Sequence, residues 1–159
     1  MEGGRAPQGG GRVLVGFLVT FDMDDAPQGR FFPLYQGRTL IGRDMDPTMG
    51  AVVDVRGDLK VSGSHALLLH RNGKLIMEDQ MSTCGTFVDE STLGIAGRSE
   101  LVGGPQFVRD DGAMFCGRPV KLYSIENEKV ELYDNSIIAV GKTLMQVKLI
   151  GWPERALIY

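Results

Sequence analysis

Acids, hydroxyls and histidines gather in two stretches, "RDMDPT" at 43–48 and "SGSHALLLHRNGKLIMEDQMSTCGTFVD" at 62–89. Asp44-x-Asp46-x-Thr48 has a spacing in which one carboxylate acts as nucleophile and the other as acid/base beside magnesium. That chemistry wants the pair at the end of a buried parallel strand leading into a helix. Here it follows "TLIGR", and Asp46 precedes a proline, which reads as an acidic turn. A hydrolytic serine needs a nucleophile elbow or a positioned imidazole. Ser64 and His65 are sequence neighbours, and neighbours on a strand face opposite ways. His70 falls at a hairpin end, where a solvated imidazole is expected. Two histidines and scattered acids supply no zinc spacing. No enzyme, metal site or cofactor is expected.

Arg43, Ser62, Ser82 and Thr83 form a different set. Each falls where an apolar run meets a turn, so all four can share one end of a β-sandwich. An arginine fork, hydroxyl donors and exposed backbone N–H groups are what a phosphate dianion needs. The competing account is that the three hydroxyls bond their own turns and Arg43 pairs with a nearby aspartate. On residue chemistry alone the second account has the advantage.

The elements that would position these residues are short. Twenty-two glycines and seven prolines in 159 residues separate runs rich in Val, Ile, Leu and Phe. The runs lie at 13–21, 30–36, 38–42, 51–55, 65–70, 74–79, 86–89, 120–125, 129–133, 137–140 and 143–150. Such lengths and spacings predict about eleven strands of an all-β sandwich. "RNGK" at 71–74 joins two of them, and Asn-Gly is a strong hairpin signal. No window sustains a helical period. The stretch 89–115 is Gly-rich and irregular, with one strand expected near "QFVRD"; it reads as a surface insertion or an additional hairpin.

One domain is expected over 13–159, preceded by a flexible Gly-rich tail at 1–12, "MEGGRAPQGGGR". The net charge of −3 provides no basic field for a polynucleotide. The longest apolar run, 13–21, is too short to span a bilayer. Cys84 and Cys116 form no C-x-x-C pair and no signal peptide opens the chain, which points to thiols in the cytoplasm.

The order of the short motifs changes the reading of the hydroxyl set. "LIGR" at 40–43, "SGSH" at 62–65, "STCGTFVD" at 82–89 and "SIIAVGKTLMQVKLI" at 136–150 together resemble the forkhead-associated domain. The opening "GFLVTF…GRFFPLYQGRTLIGR" is similar to the first strands of bacterial members. The resemblance spans about 13–150, interrupted by the insertion. It implies a forkhead-associated β-sandwich that binds Thr-phosphorylated proteins or peptides without catalysis, in Ser/Thr kinase signalling. Arg43 would grip the phosphate and the Ser62 hydroxyl would be a second donor. Thr83 would lie beside the phosphothreonine, with Gly63, Ser82 and Cys84 also on the binding loops. Gly42, His65 and Gly85 would shape those loops.

Two positions depart from the family pattern. Gly63 stands where Arg or Asn often follows the serine, and Cys84 replaces the Asn of an Asn-Gly-Thr turn. A thiol is a weak donor and acceptor, so the main-chain contact made by the amide should be weakened. Losing one neutral hydrogen bond costs about 0.5–1.5 kcal/mol. The alternative implied by these changes is a phospho-independent scaffold or oligomerisation domain, with self-association as its mode of action.

Overall fold

The computed structural model describes residues 12–23, 25–95, 108–109 and 112–151. Among them are fourteen strands, one short helix and one 3₁₀ turn. All eleven expected runs form strands, because each carries the branched and aromatic residues that suit a pleated, half-buried surface. The expected Gly-rich tail lies almost wholly outside the described residues, as does most of the 96–111 part of the insertion.

Seven strands make one sheet: β1 (Leu14–Thr20), β2 (Arg30–Tyr35), β7 (Thr86–Asp89), β8 (Val108–Arg109), β11 (Leu122–Ser124), β13 (Ile137–Val140) and β14 (Thr143–Leu149). Their order is β2-β1-β14-β13-β7-β11-β8. Five more make the facing sheet: β3 (Gly37–Gly42), β4 (Val52–Asp54), β5 (Ala66–Arg71), β6 (Lys74–Asp79) and β12 (Lys129–Leu132), ordered β12-β6-β5-β3-β4. β3 and β4 run parallel, and the β12–β6, β6–β5 and β5–β3 pairs are antiparallel.

Alternation along the strands builds the core between the sheets. Val15, Leu18, Met145, Val147, Ile138 and Val140 from one sheet meet Ile41, Val53, Leu68, Leu75, Met77 and Leu132 from the other. The β5–β6 turn is the expected Asn-Gly hairpin, with Asn72 and Gly73 both left-handed at φ 55° and 75°. That is the backbone of a type I′ turn, whose twist matches that of the flanking strands.

His70 departs from its expected solvated position. On β5 it shares the inward face with Ala66 and Leu68 and is buried. Burial lowers its pKa, because the charged form loses hydration.

The insertion contains more structure than its composition announced. Helix α1 (Glu90–Ile95) follows β7, and β9 (Met114–Phe115) pairs with β10 (Arg118–Pro119) in a small hairpin. Asp89 accepts bonds from the Thr92 hydroxyl and the Ile137 N–H, tying α1 to β13. Phe115 packs with Phe87, Leu122, Ile137, Ala139 and Leu144. This second cluster sits on the outer face of the seven-stranded sheet, which is why β13 is buried on both faces. The extra hairpin is a lid over apolar surface.

Register places the functional loops. Gly42 pairs with Asp54, Ile41 with Ala66, Ala66 with Asp79, and Val140 with Thr86. The chain after β3, the β4–β5 loop and the β6–β7 loop therefore meet at one end of the sandwich. β1 begins and β14 ends at the other, where Gly16 pairs with Leu149.

Candidate functional site

Arg43 follows β3 directly and its backbone N–H donates to the Ser62 carbonyl (3.1 Å). Its Nε donates to the Val61 carbonyl (2.8 Å), which lays the guanidinium across the β4–β5 loop. Nη1 lies 3.7 Å from the Asp44 carboxylate, an exposed and weak pairing, and the side chain keeps 34% of its surface open. Among the described residues neither terminal nitrogen has a hydrogen-bond acceptor. One edge of the fork is fixed and the other is available.

Ser62 and Ser82 are alike in the sequence and differ in use. The Ser62 hydroxyl oxygen accepts from the Thr83 N–H (3.1 Å), linking the two loops and leaving its own proton to donate elsewhere. The Ser82 hydroxyl donates to Asp79 and accepts from the Gly85 N–H (3.0 Å). Asp79 also takes the Ser82 N–H (3.1 Å) and the Thr86 hydroxyl (2.6 Å). Ser82 is occupied in supporting its own turn. Thr83, Cys84 and Gly63 are exposed on the surface of the same loops.

His65 is fully buried between these loops. Its Nδ1 accepts from the Ser62 N–H (3.0 Å), so the remaining ring proton is on Nε2 and donates to the Gly85 carbonyl (2.7 Å). One ring partner is thus a backbone amide and the other a backbone carbonyl. Its backbone N–H donates to Ile41 (2.8 Å), and its carbonyl accepts from Gln80 (2.9 Å). One residue thus joins β3 and both loops.

Gly42 and Gly85 have steric reasons for being glycine. A Cβ on Gly42 would collide with the Gly63 carbonyl, which is backbone and cannot swing aside. Gly85 sits at φ 91°, a conformation that side chains rarely adopt.

Three carboxylates, none of them singled out in the sequence, anchor the loops. Asp79 holds the β6–β7 turn. Asp54 accepts from the Asp44 N–H (2.8 Å) and is gripped by Arg56 through Nε (3.1 Å) and Nη2 (2.7 Å). Burial works against the Asp54 charge, yet the Arg56 fork and the two backbone N–H bonds prevail and hold its pKa below the ordinary value. Asp58 accepts from the Lys142 N–H (2.8 Å) and the Thr143 hydroxyl (2.7 Å), joining the β4–β5 loop to the β13–β14 turn. Asp-x-x-Ser at 79–82 was the one readable signal, as an aspartate that can bond the turn it opens.

The acidic turn at 44–48 behaves as a turn. Asp46 accepts from the Thr48 N–H (2.9 Å) and hydroxyl (2.8 Å), which lower its pKa. Among the described residues no group of three His, Cys, Asp or Glu is placed to hold a metal ion, and no helix is long and apolar enough to cross a membrane.

The sandwich has the fold of solved FHA domains. The FHA domain family model matches residues 39–103, which include all three loops, and the chain contains an FHA domain. Solved structures share the fold at low sequence identity. The FHA domain of the CT664 protein from Chlamydia trachomatis is 21% identical, with a TM-score of 0.51, over 86% of this chain and 99% of that one. The FHA domain of an Arabidopsis thaliana hypothetical protein is 15% identical, with a TM-score of 0.55, over 89% and 90%. Mycobacterium tuberculosis EmbR, solved in complex with a low affinity phosphopeptide, is 15% identical with a TM-score of 0.50, over 93% of this chain and 27% of that one. No curated protein sequence matches the chain.

Proposed function

We propose that this chain is a non-catalytic module that binds phosphothreonine peptides, with Arg43, Ser62 and Thr83 as the phosphate contacts. The carrying observation is the set of available donors on three loops already fastened together, the chain after β3 by the Arg43 bonds to Val61 and Ser62. These are the outer edge of the Arg43 fork, the Ser62 proton and the Thr83 hydroxyl, joined by the Thr83 N–H to Ser62 bond. A dianion placed there would gain charge-assisted bonds without reorganising the loops. The EmbR structure with its phosphopeptide supports the reading by likeness of fold. The partner is a protein phosphorylated on threonine by a Ser/Thr kinase. The two exposed free thiols, Cys84 and Cys116, suit a reducing compartment such as the cytoplasm. Cys84 lies on the β6–β7 loop where it offers a peptide main chain little, so affinity should be modest.

Calorimetric titration with a phosphothreonine peptide set and unphosphorylated copies tests the proposal. Binding should require the phosphate and should be lost in Arg43→Ala. Hydrogen bonds to charged groups are worth about 1.5–3 kcal/mol each, and Arg43→Lys should rescue poorly, since lysine lacks the planar fork. Equal affinity for phosphorylated and unphosphorylated peptides would favour the phospho-independent scaffold instead.

A further inference from the structure

The outer face of the seven-stranded sheet is apolar where water should meet polar groups. Val15, Leu18, Phe32 and Leu34 point into the core. Alternation therefore turns Leu14, Phe17, Val19, Phe31, Pro33 and Tyr35 outward on β1 and β2. A wet face of an antiparallel sheet normally carries polar residues at such positions, and none of these six is charged. Phe31 keeps 66% of its surface open and Leu14 keeps 37%, while the Phe17 and Phe31 ring centroids lie 6.2 Å apart. The insertion hairpin covers the β7, β11 and β13 part of the same face. Gln146 and Lys148 on β14, both bonded to Asn135, separate that part from β1 and β2.

Size and geometry choose what covers this strip. β2 is the sheet edge, and Pro33 in its middle brings no N–H to an added strand, which blunts edge pairing. The strip is about 20 Å long and about 10 Å wide, two strands across. A stable dimer buries roughly 800 Å² per partner, well beyond that footprint. A segment of the same chain needs less area, because its tether keeps its local concentration high. Past Gly151 the sequence reads Trp-Pro-Glu-Arg-Ala-Leu-Ile-Tyr, residues 152–159, outside the described residues. β14 ends beside the start of β1, with Leu149 opposite Gly16 and the Ile150 N–H donating to Val15. Gly151 and Pro153 are residue types that end a strand and turn a chain. From Leu149, Phe31 is about three residues along and two strands across, roughly 14 Å. Residues 152–159 reach about 27 Å when extended.

We propose that the outer face of β1 and β2 is a docking surface for the chain's own residues 152–159, which fold back and cover Phe17 and Phe31. The inner face of the sheet is filled by the core, so the outer face alone is open to them. Removing exposed aromatic surface from water drives the docking. The surface shares no residue with the phosphate loops, so it stands or falls apart from the phosphopeptide reading.

Trp152 is the single tryptophan, so its fluorescence reports this segment alone. In the full chain its emission should lie to the blue of that of the urea-unfolded protein. It should move most of the way to the unfolded value in Phe31→Ser and in Leu157→Asp, neither of which touches the described core. A chain cut after Gly151 should melt about 3–8 °C below the full chain. Phe31→Ser should lower the full chain by a similar amount and the shortened chain by less than about 2 °C, since each partner matters only when the other is present. Emission that starts at the unfolded value, or that Phe31→Ser leaves unmoved, overturns the proposal. So does a truncation loss undiminished in the Phe31→Ser background, which would put the segment elsewhere, such as the cavity lined by Gly151 and Tyr133. Sedimentation velocity over a range of concentrations tests the other occupant. A dimer that Phe31→Ser dissolves would assign the face to a second copy and overturn the proposal; a monomer with blue emission supports it.

Discussion

Replacing His65 with alanine should loosen the loop end of the sandwich as a unit. The imidazole is fully buried and its two ring nitrogens bond the Ser62 N–H and the Gly85 carbonyl, on different loops. Alanine removes both bonds and leaves a donor and an acceptor unsatisfied, at about 1–3 kcal/mol each where water does not reach them. These groups lie near the loop surface, so partial hydration brings the expected total to about 2–4 kcal/mol. For a domain of this size each kcal/mol lowers the melting temperature by about 2–4 °C, giving a fall of roughly 5–15 °C. Differential scanning calorimetry measures it directly. Phosphopeptide affinity should fall as well, because the Ser62 backbone loses the bond that sets where its hydroxyl points. A melting temperature within about 2 °C of wild type, with affinity unchanged, would refute the assignment of His65 as the link between the loops.

Three further outcomes are expected. Gly42→Ala should destabilise the domain by about 1–3 kcal/mol, as an overpacked site does, and weaken phosphopeptide binding, since the new methyl must displace the Gly63 carbonyl; urea unfolding and titration read both. His70 is held neutral by burial, so below its ordinary pKa of about 6.5 the unfolded chain binds a proton that the folded chain does not. Stability should thus decline as pH falls from about 6.5 toward the lowered folded pKa, and the decline should be smaller in His70→Gln when melting is followed across that window. Cys84→Asn should tighten phosphopeptide binding by about 0.5–1.5 kcal/mol, mainly through slower dissociation, and only where Arg43 is intact; a gain in the Arg43→Ala background would show that the new amide acts outside the cradle.

The strands were legible because their signal is local. Runs of Val, Ile, Leu and Phe between glycines need no knowledge of partners, and the Asn72–Gly73 turn encodes its own backbone. Ser62 and Ser82 show where that legibility stops. Both hydroxyls end up at one end of the sandwich as expected, yet only register tells that Ser82 faces Asp79 while Ser62 meets the neighbouring loop. His70 was misplaced for a related reason: proximity to a hairpin suggested water, whereas two-residue alternation with Ala66 and Leu68 turned the ring inward. The insertion hid its packing because Phe115 has its partners far along the chain, on β7, β11, β13 and β14. Long-range contacts of that kind leave no periodic trace.

The pairing of Gly16 with Leu149 has a consequence for how such a domain is mounted. Both ends of the sandwich strands leave from the face opposite the phosphate loops, about seven residues of strand away, or roughly 23 Å at 3.3–3.4 Å per residue. A neighbour joined directly to the outer end of either strand would sit behind the proposed binding loops, outside the approach of an incoming peptide. The proposed binding loops and the outer ends of β1 and β14 thereby occupy opposite poles of the described sandwich. In a tandem or multivalent assembly the spacer alone would then set the local concentration of the cradle, so avidity could be tuned by linker length with the loops left untouched.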